Sequence, residues 1–185
     1  MRNKLVLAGL AALAAFGIAC GSGSGDTTGT VSGDGQSGAP AAGDGPVTAA
    51  IGQTITLTST LLGSTDKVEI TLANPRQFTE DPEGSGFIKP DNGVYLVLDG
   101  TVVCVEGTYY ASPFNFTFVA ADGTAYDAAF TIGFKPQLDT INLNPGQRTA
   151  GSVVFDVPES AIAGGKIQID GLGLDTMEGA AYWTL

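Results

Sequence analysis

From residue 47 onward the chain alternates between apolar and polar positions. In TITLTST (54–60), Ile55 and Leu57 fall on one side and threonines on the other. KVEITL (67–72) repeats the pattern, opposing Val68, Ile70 and Leu72 to Lys67, Glu69 and Thr71. A period of two predicts strands with one buried face. GVYLVLDGTVVCVEG (93–107) predicts one long strand or two in line. Leu96, Leu98, Val102 and Cys104 share one parity there, and Val97, Asp99, Thr101 and Val103 share the other. The first set makes the better core face. FNFTFVA (114–120) places Phe114, Phe116 and Phe118 together, leaving Asn115 and Thr117 on the opposite side. The glycosylation triplet Asn115-Phe116-Thr117 therefore reads as one face of a strand.

LDTINL (138–143), RTAGSVVFDVP (148–158), KIQIDGL (166–172) and AAYWTL (180–185) predict further strands. Asp122-Gly123 supplies the positive φ angles of a hairpin turn. Pro145-Gly146, after Asn144, suits the middle of a type II turn. PESAIAGG (158–165) predicts a single helical turn, opened by Pro158 and stopped by Gly164. No long stretch carries a 3.6-residue period. Many short strands divided by turn residues argue for an all-β antiparallel sandwich over residues 47–185, long enough for one core.

The first 46 residues have a different pattern. Arg2 and Lys4 precede an uncharged apolar run, Leu5 to Ile18. The run suits a signal peptide over residues 1–19 and is shorter than the roughly 20 residues of a spanning helix. It ends in GIAC, which looks like a bacterial lipobox, with a glycine at position 17 where a leucine is more usual. That reading makes Cys20 the acylated first residue of the mature chain, anchored to the membrane on its extracytoplasmic side. Two acyl chains hold a protein where one is marginal. Residues 21–46 (GSGSGDTTGTVSGDGQSGAPAAGDGP) hold no aromatic and no basic residue, so a disordered Gly/Ser-rich linker is expected over 20–46. As a coil its ends would lie roughly 25–30 Å apart.

The chain has 8 basic and 19 acidic residues, a formal net charge of −11. Losing Arg2 and Lys4 with the signal makes the mature chain two units more negative. Nucleic acid is an unsuitable partner for such a chain, as is anionic lipid bound by charge. There is no histidine. Ser-His-Asp and Cys-His catalysis and every His-containing metal site are therefore excluded. Of the two cysteines, acylation uses Cys20, so Cys104 has no disulfide partner within the chain.

IGQTITL, GVYLVLDGTVVCVEG, ADGTAY and LNPGQRTAGSVVFDVPESA together resemble a family of bacterial lipoprotein and secreted domains of unknown function. Members have an immunoglobulin-like sandwich similar to a secreted immunogenic antigen of mycobacteria. The resemblance covers about residues 51–172, and its most specific part is the proline-glycine turn followed by GSVVFDVP. It implies an extracytoplasmic immunoglobulin-like domain and carries no catalytic residues.

The chemistry-bearing residues divide as follows. Cys104, among Val102, Val103 and Val105, reads as a packed thiol. Glu80, Asp81 and Glu83 form an acidic loop of a kind that can take calcium, without the spacing of an EF-hand. Asp122 and Asp127 flank the hairpin. Tyr109, Tyr110, Phe114 and Trp183 could supply either core or an exposed aromatic patch. The leading reading is a tethered binding module with no cofactor and no enzymatic activity. A structural envelope protein is the alternative, and a carboxylate-based hydrolase comes last because no acidic pair is set in a cleft.

Overall fold

The computed structural model describes residues 26–33, 46–61, 63–82, 89–130, 133–169 and 181–185. The expectations for the signal peptide 1–19, Cys20 and Glu83 lie outside these residues. The strands are β1 (Asp26–Ser32), β2 (Val47–Ala50), β3 (Thr54–Leu61), β4 (Ser64–Phe78), β5 (Val94–Glu106), β6 (Tyr109–Ala111), β7 (Phe116–Val119), β8 (Ala125–Asp127), β9 (Ile141–Leu143), β10 (Arg148–Val157), β11 (Lys166–Ile169) and β12 (Ala181–Thr184). One helical turn, α1 (Glu159–Ile162), follows Pro158, and Gly164 ends it at φ +75°.

The molecule is an immunoglobulin-like β-sandwich. One sheet runs β1-β3-β4-β5-β10 and the other β2-β12-β11-β7-β8, with β6 and β9 forming a separate ribbon. The pairs are antiparallel except β2 with β12, which run parallel because the first and last strands of the second sheet enter from the same end. The core lies between the sheets. Ile55, Leu57, Val68, Ile70, Leu72, Leu96, Leu98, Val102 and Cys104 are all buried there, as the alternation predicts. Phe118 faces Phe155 of the opposite sheet at 6.2 Å, and Trp183 lies 6.5 Å from Phe116 on the inner face of their shared sheet. Trp183 Nε1–H donates to the Gln53 carbonyl at 3.0 Å, so the buried indole leaves no donor unpaired.

β5 is one unbroken strand, with Gly100 in register with both Leu72 and Gly151. The predicted turns also form. Thr124 N–H donates to the Asp122 carboxylate at 2.9 Å with Gly123 at φ +88°, and Gln147 N–H donates to the Asn144 carbonyl at 2.9 Å with Gly146 at φ +82°.

Four features depart from the sequence reading. First, Asp26–Ser32, within the expected linker, is an edge strand on β3. Backbone hydrogen bonding carries a strand that has almost nothing apolar to offer. Second, β4 continues beyond Leu72 to Phe78, through a register shift between Ala73 and Arg76. Asn74 takes φ +51° and Pro75, which has no N–H to give the ladder, sits in the irregularity. Arg76 closes it with a 2.6 Å ion pair to Asp99, which also accepts from Asn74 at 2.9 Å. Third, Val97 is buried although its parity faces away from the main core. It joins Tyr95, Phe134 and Val154 in a second, smaller cluster on the outer face of the first sheet. Phe78 and Tyr95 pack edge-on against Phe134, at 5.3 and 5.4 Å. Fourth, Phe114 and Asn115 belong to a 3-10 turn, Pro113–Asn115, and not to the strand that starts at Phe116.

Candidate functional site

The 3-10 turn redirects a phenylalanine. Ser112 caps it, its hydroxyl accepting from Phe114 N–H at 3.3 Å, and Pro113 presets the first turn position. The same hydroxyl lies 3.1 Å from Thr140 Oγ1, which ties the turn to the segment before β9. Phe116 and Phe118 remain inside, while Phe114 turns outward and is 56% exposed.

The opposite wall comes from residues 128–130 and 133–138, which run along the outer edge of β10. Ala129 N–H donates to the Val154 carbonyl at 2.7 Å, Ser152 N–H to the Pro136 carbonyl at 2.7 Å, and Leu138 N–H to the Ser152 carbonyl at 3.2 Å. Gly151 permits this approach, since a Cβ there would overlap the backbone of Gln137. The edge of the sheet is thereby covered, as a strand edge outside a ladder needs to be.

Between these walls lies a cleft of about 200 Å3. Phe114 and Phe130 flank it, and Leu138 and Val154 are its buried apolar lining. Asp139, Thr140 and Ser152 supply polar groups. Phe130 is 82% exposed, an unusual position for so large an apolar side chain. Tyr110 and Ile141, on the adjoining ribbon, are also exposed. The arrangement can take up an apolar group and offer hydrogen bonds at its rim. Among the described residues that line it, Asp139 is the one carboxylate.

The aromatic patch anticipated from sequence is therefore divided. Tyr109 and Trp183 are buried in the core, whereas Tyr110 and Phe114 reach solvent. The Ser112-Pro113 pair was the signal that Phe114 leaves the strand. Phe130 had no such signal, because its exposure depends on where residues 128–130 lie against β10.

Cys104 is buried, its thiol 3.6 Å from the Glu106 carbonyl and 3.7 Å from that of Gly107. Burial pushes the thiol pKa up, and the nearby Asp66 charge adds to the effect, so the thiolate is disfavoured. Burial also raises Tyr109 well above the ordinary phenol range. Asp81 is buried beside Gly133, and Glu80 is exposed. Asp122 is held below the usual carboxylate range by the Thr124 hydrogen bonds. Among the described residues, no three of the His, Cys, Asp and Glu side chains are placed to hold a metal ion. No helix among them is long and apolar enough to cross a membrane.

The strand order and packing define an immunoglobulin-like sandwich with a lateral cleft. The chain belongs to the family described as a domain of unknown function, DUF4352, whose model matches residues 65–174. It is similar in structure to the secreted protein MPT63 of Mycobacterium tuberculosis, with a TM-score of 0.58 and 19% identity over 77% of this chain and 100% of that one. It is also similar to the yjhA protein of Bacillus subtilis, with a TM-score of 0.48 and 13% identity over 61% of this chain and 81% of that one. No curated protein matches the chain.

Proposed function

We propose that this chain is an extracytoplasmic lipoprotein, acylated on Cys20, that presents its sandwich as a binding module to a protein or glycan of the cell envelope. The observation that carries the binding reading is the pair of exposed phenylalanines, Phe114 and Phe130, across one cleft. Large aromatic side chains held in solvent by an ordered scaffold are the usual anchors of recognition surfaces. The GIAC junction and the basic, apolar leader support the anchoring. The absence of histidine from the sequence, and the single carboxylate among the described residues of the cleft, speak against catalysis.

Both parts can be tested in cells. Cys20→Ser is expected to appear in the medium or as uncleaved precursor. Unchanged acylation and membrane fractionation would remove the anchor from the proposal. For the module, membranes are cross-linked and the full chain is recovered beside a Phe114→Ser/Phe130→Ser variant. Wild type should enrich a discrete partner, and the variant should lose most of it while melting at the same temperature. Equal recovery by both chains would exclude the cleft. Recovery of no partner by wild type would favour a purely structural envelope role.

A further inference from the structure

β1 is drawn from the segment that joins Cys20 to the sandwich, and it takes the outermost place in its sheet. It pairs with β3 along its whole length, from Asp26 opposite Thr60 to Ser32 opposite Thr54. Val31 is its only apolar residue besides glycine, and it is half-buried at the margin of the core. Thr28, Thr30 and Ser32 are exposed. The strand thus gains one ladder and one partly covered side chain, against the entropy of ordering seven residues. Elements held so lightly open by themselves, below the free energy of global unfolding. β4 and β5, by contrast, are central strands with both edges paired and core residues along their length.

The docking is nonetheless specific. Gly29 lies opposite Leu57, and a Cβ on it would overlap Val47 Cγ2 and come within 3.2 Å of Leu57 Cδ2. The strand fits beneath Val47 of β2 because this residue has no side chain.

We propose that β1 is a releasable strap, which docks on β3 or detaches as a unit while the rest of the sandwich stays folded, and so sets how far the domain can reach from its anchor. When β1 is docked, only residues 21–25 separate Cys20 from the sheet, a contour of at most about 17 Å. When it is released, residues 21–46 do so, a contour of about 90 Å. The consequence for reach rests on acylation of Cys20. The docking equilibrium does not.

Hydrogen exchange on the full chain reads the equilibrium. Amides of β1 and their partners on the facing edge of β3 are expected to exchange at least ~100-fold faster than the protected amides of β4 and β5. Gly29→Val should abolish protection in β1 and leave β4 and β5 as they were. Equal protection in all four strands of wild type would overturn the strap. So would a Gly29→Val variant with unchanged β1 protection, or one that loses protection throughout. Reach is read by energy transfer from Trp183, the only tryptophan, to a dansyl-headgroup lipid, with the acylated chain in phosphatidylglycerol/phosphatidylcholine vesicles. Gly29→Val should lower the transfer, and unchanged transfer would overturn the claim about reach. If neither chain binds vesicles, the anchoring reading fails alone and the exchange result still decides whether the strap exists.

Discussion

Cys104→Asp is expected to leave the sandwich unfolded, or nearly so, at neutral pH. Cys104 lies between the sheets with its thiol directed at two backbone carbonyls, Glu106 and Gly107. A carboxylate there would meet two acceptors and the nearby Asp66 charge, against a single backbone donor from Tyr109. Leaving a buried charge unpaired costs about 3–5 kcal/mol, a large share of the roughly 5–15 kcal/mol that stabilises a domain. Cys104→Ala, which leaves only a small cavity, should cost about 1–2 kcal/mol. The pH dependence has a definite sign. Burial raises the pKa of the introduced carboxyl, so the folded state binds more protons than the unfolded one. Stability of the variant therefore rises as pH falls towards the usual carboxylate range and is lost as pH rises through the folded pKa. Denaturant melts of both variants at pH 4 and pH 7 measure this. Equal midpoints for Cys104→Asp and Cys104→Ala at pH 7 would show that the side chain reaches solvent.

Trp183→Ala should be the most damaging truncation near the end of the chain. Trp183 is one of the largest fully buried side chains, and its strand, β12, joins β11 to β2. Aromatic-to-alanine changes in cores cost about 3–5 kcal/mol, and the Gln53 carbonyl would also lose its donor. At a few degrees per kcal/mol, the melting temperature should fall by about 10–20 °C. The neighbouring residue is the control. Tyr182 points outward, with the Lys166 ammonium 3.8 Å from its ring centre, and Tyr182→Ala should cost no more than about 1 kcal/mol. Equal losses in the two variants would mean that the register of β12 is displaced by one residue.

The contrast between residues 182 and 183 shows why much of the core was legible. A strand turns successive side chains to opposite faces, so alternation in TITLTST and KVEITL leaves one way to bury Ile55, Leu57, Val68, Ile70 and Leu72. Cys104 was placed by the same parity. Alternation has no means of showing whether the second face is also covered. Val97 and Tyr95 are buried because Phe134 packs on them from a segment some 40 positions further along the chain. The cleft has the same origin. Phe130 and Phe114 are brought together by hydrogen bonds of Ala129, Pro136 and Leu138 to β10, and that approach depends on the absence of a side chain at Gly151.

By itself, the sequence determined the all-β class, the strands β3, β5, β7 and β9 to β12 with the first part of β4, their main buried face and the principal turns. Each follows from interactions between residues close along the chain: side-chain alternation, positive φ at glycine, and the fixed φ of proline. It also excluded histidine chemistry, since a side chain that is absent cannot act. The tertiary structure alone decided the order of strands in the two sheets, the parallel pairing of β2 with β12, the second cluster around Phe134, and the exposure of Phe130. It also decided that Asp26–Ser32, whose composition reads as a linker, is a strand. A segment with so little to bury has no preferred local structure, and the free edge of β3 supplies the hydrogen-bonding partners that its own sequence does not.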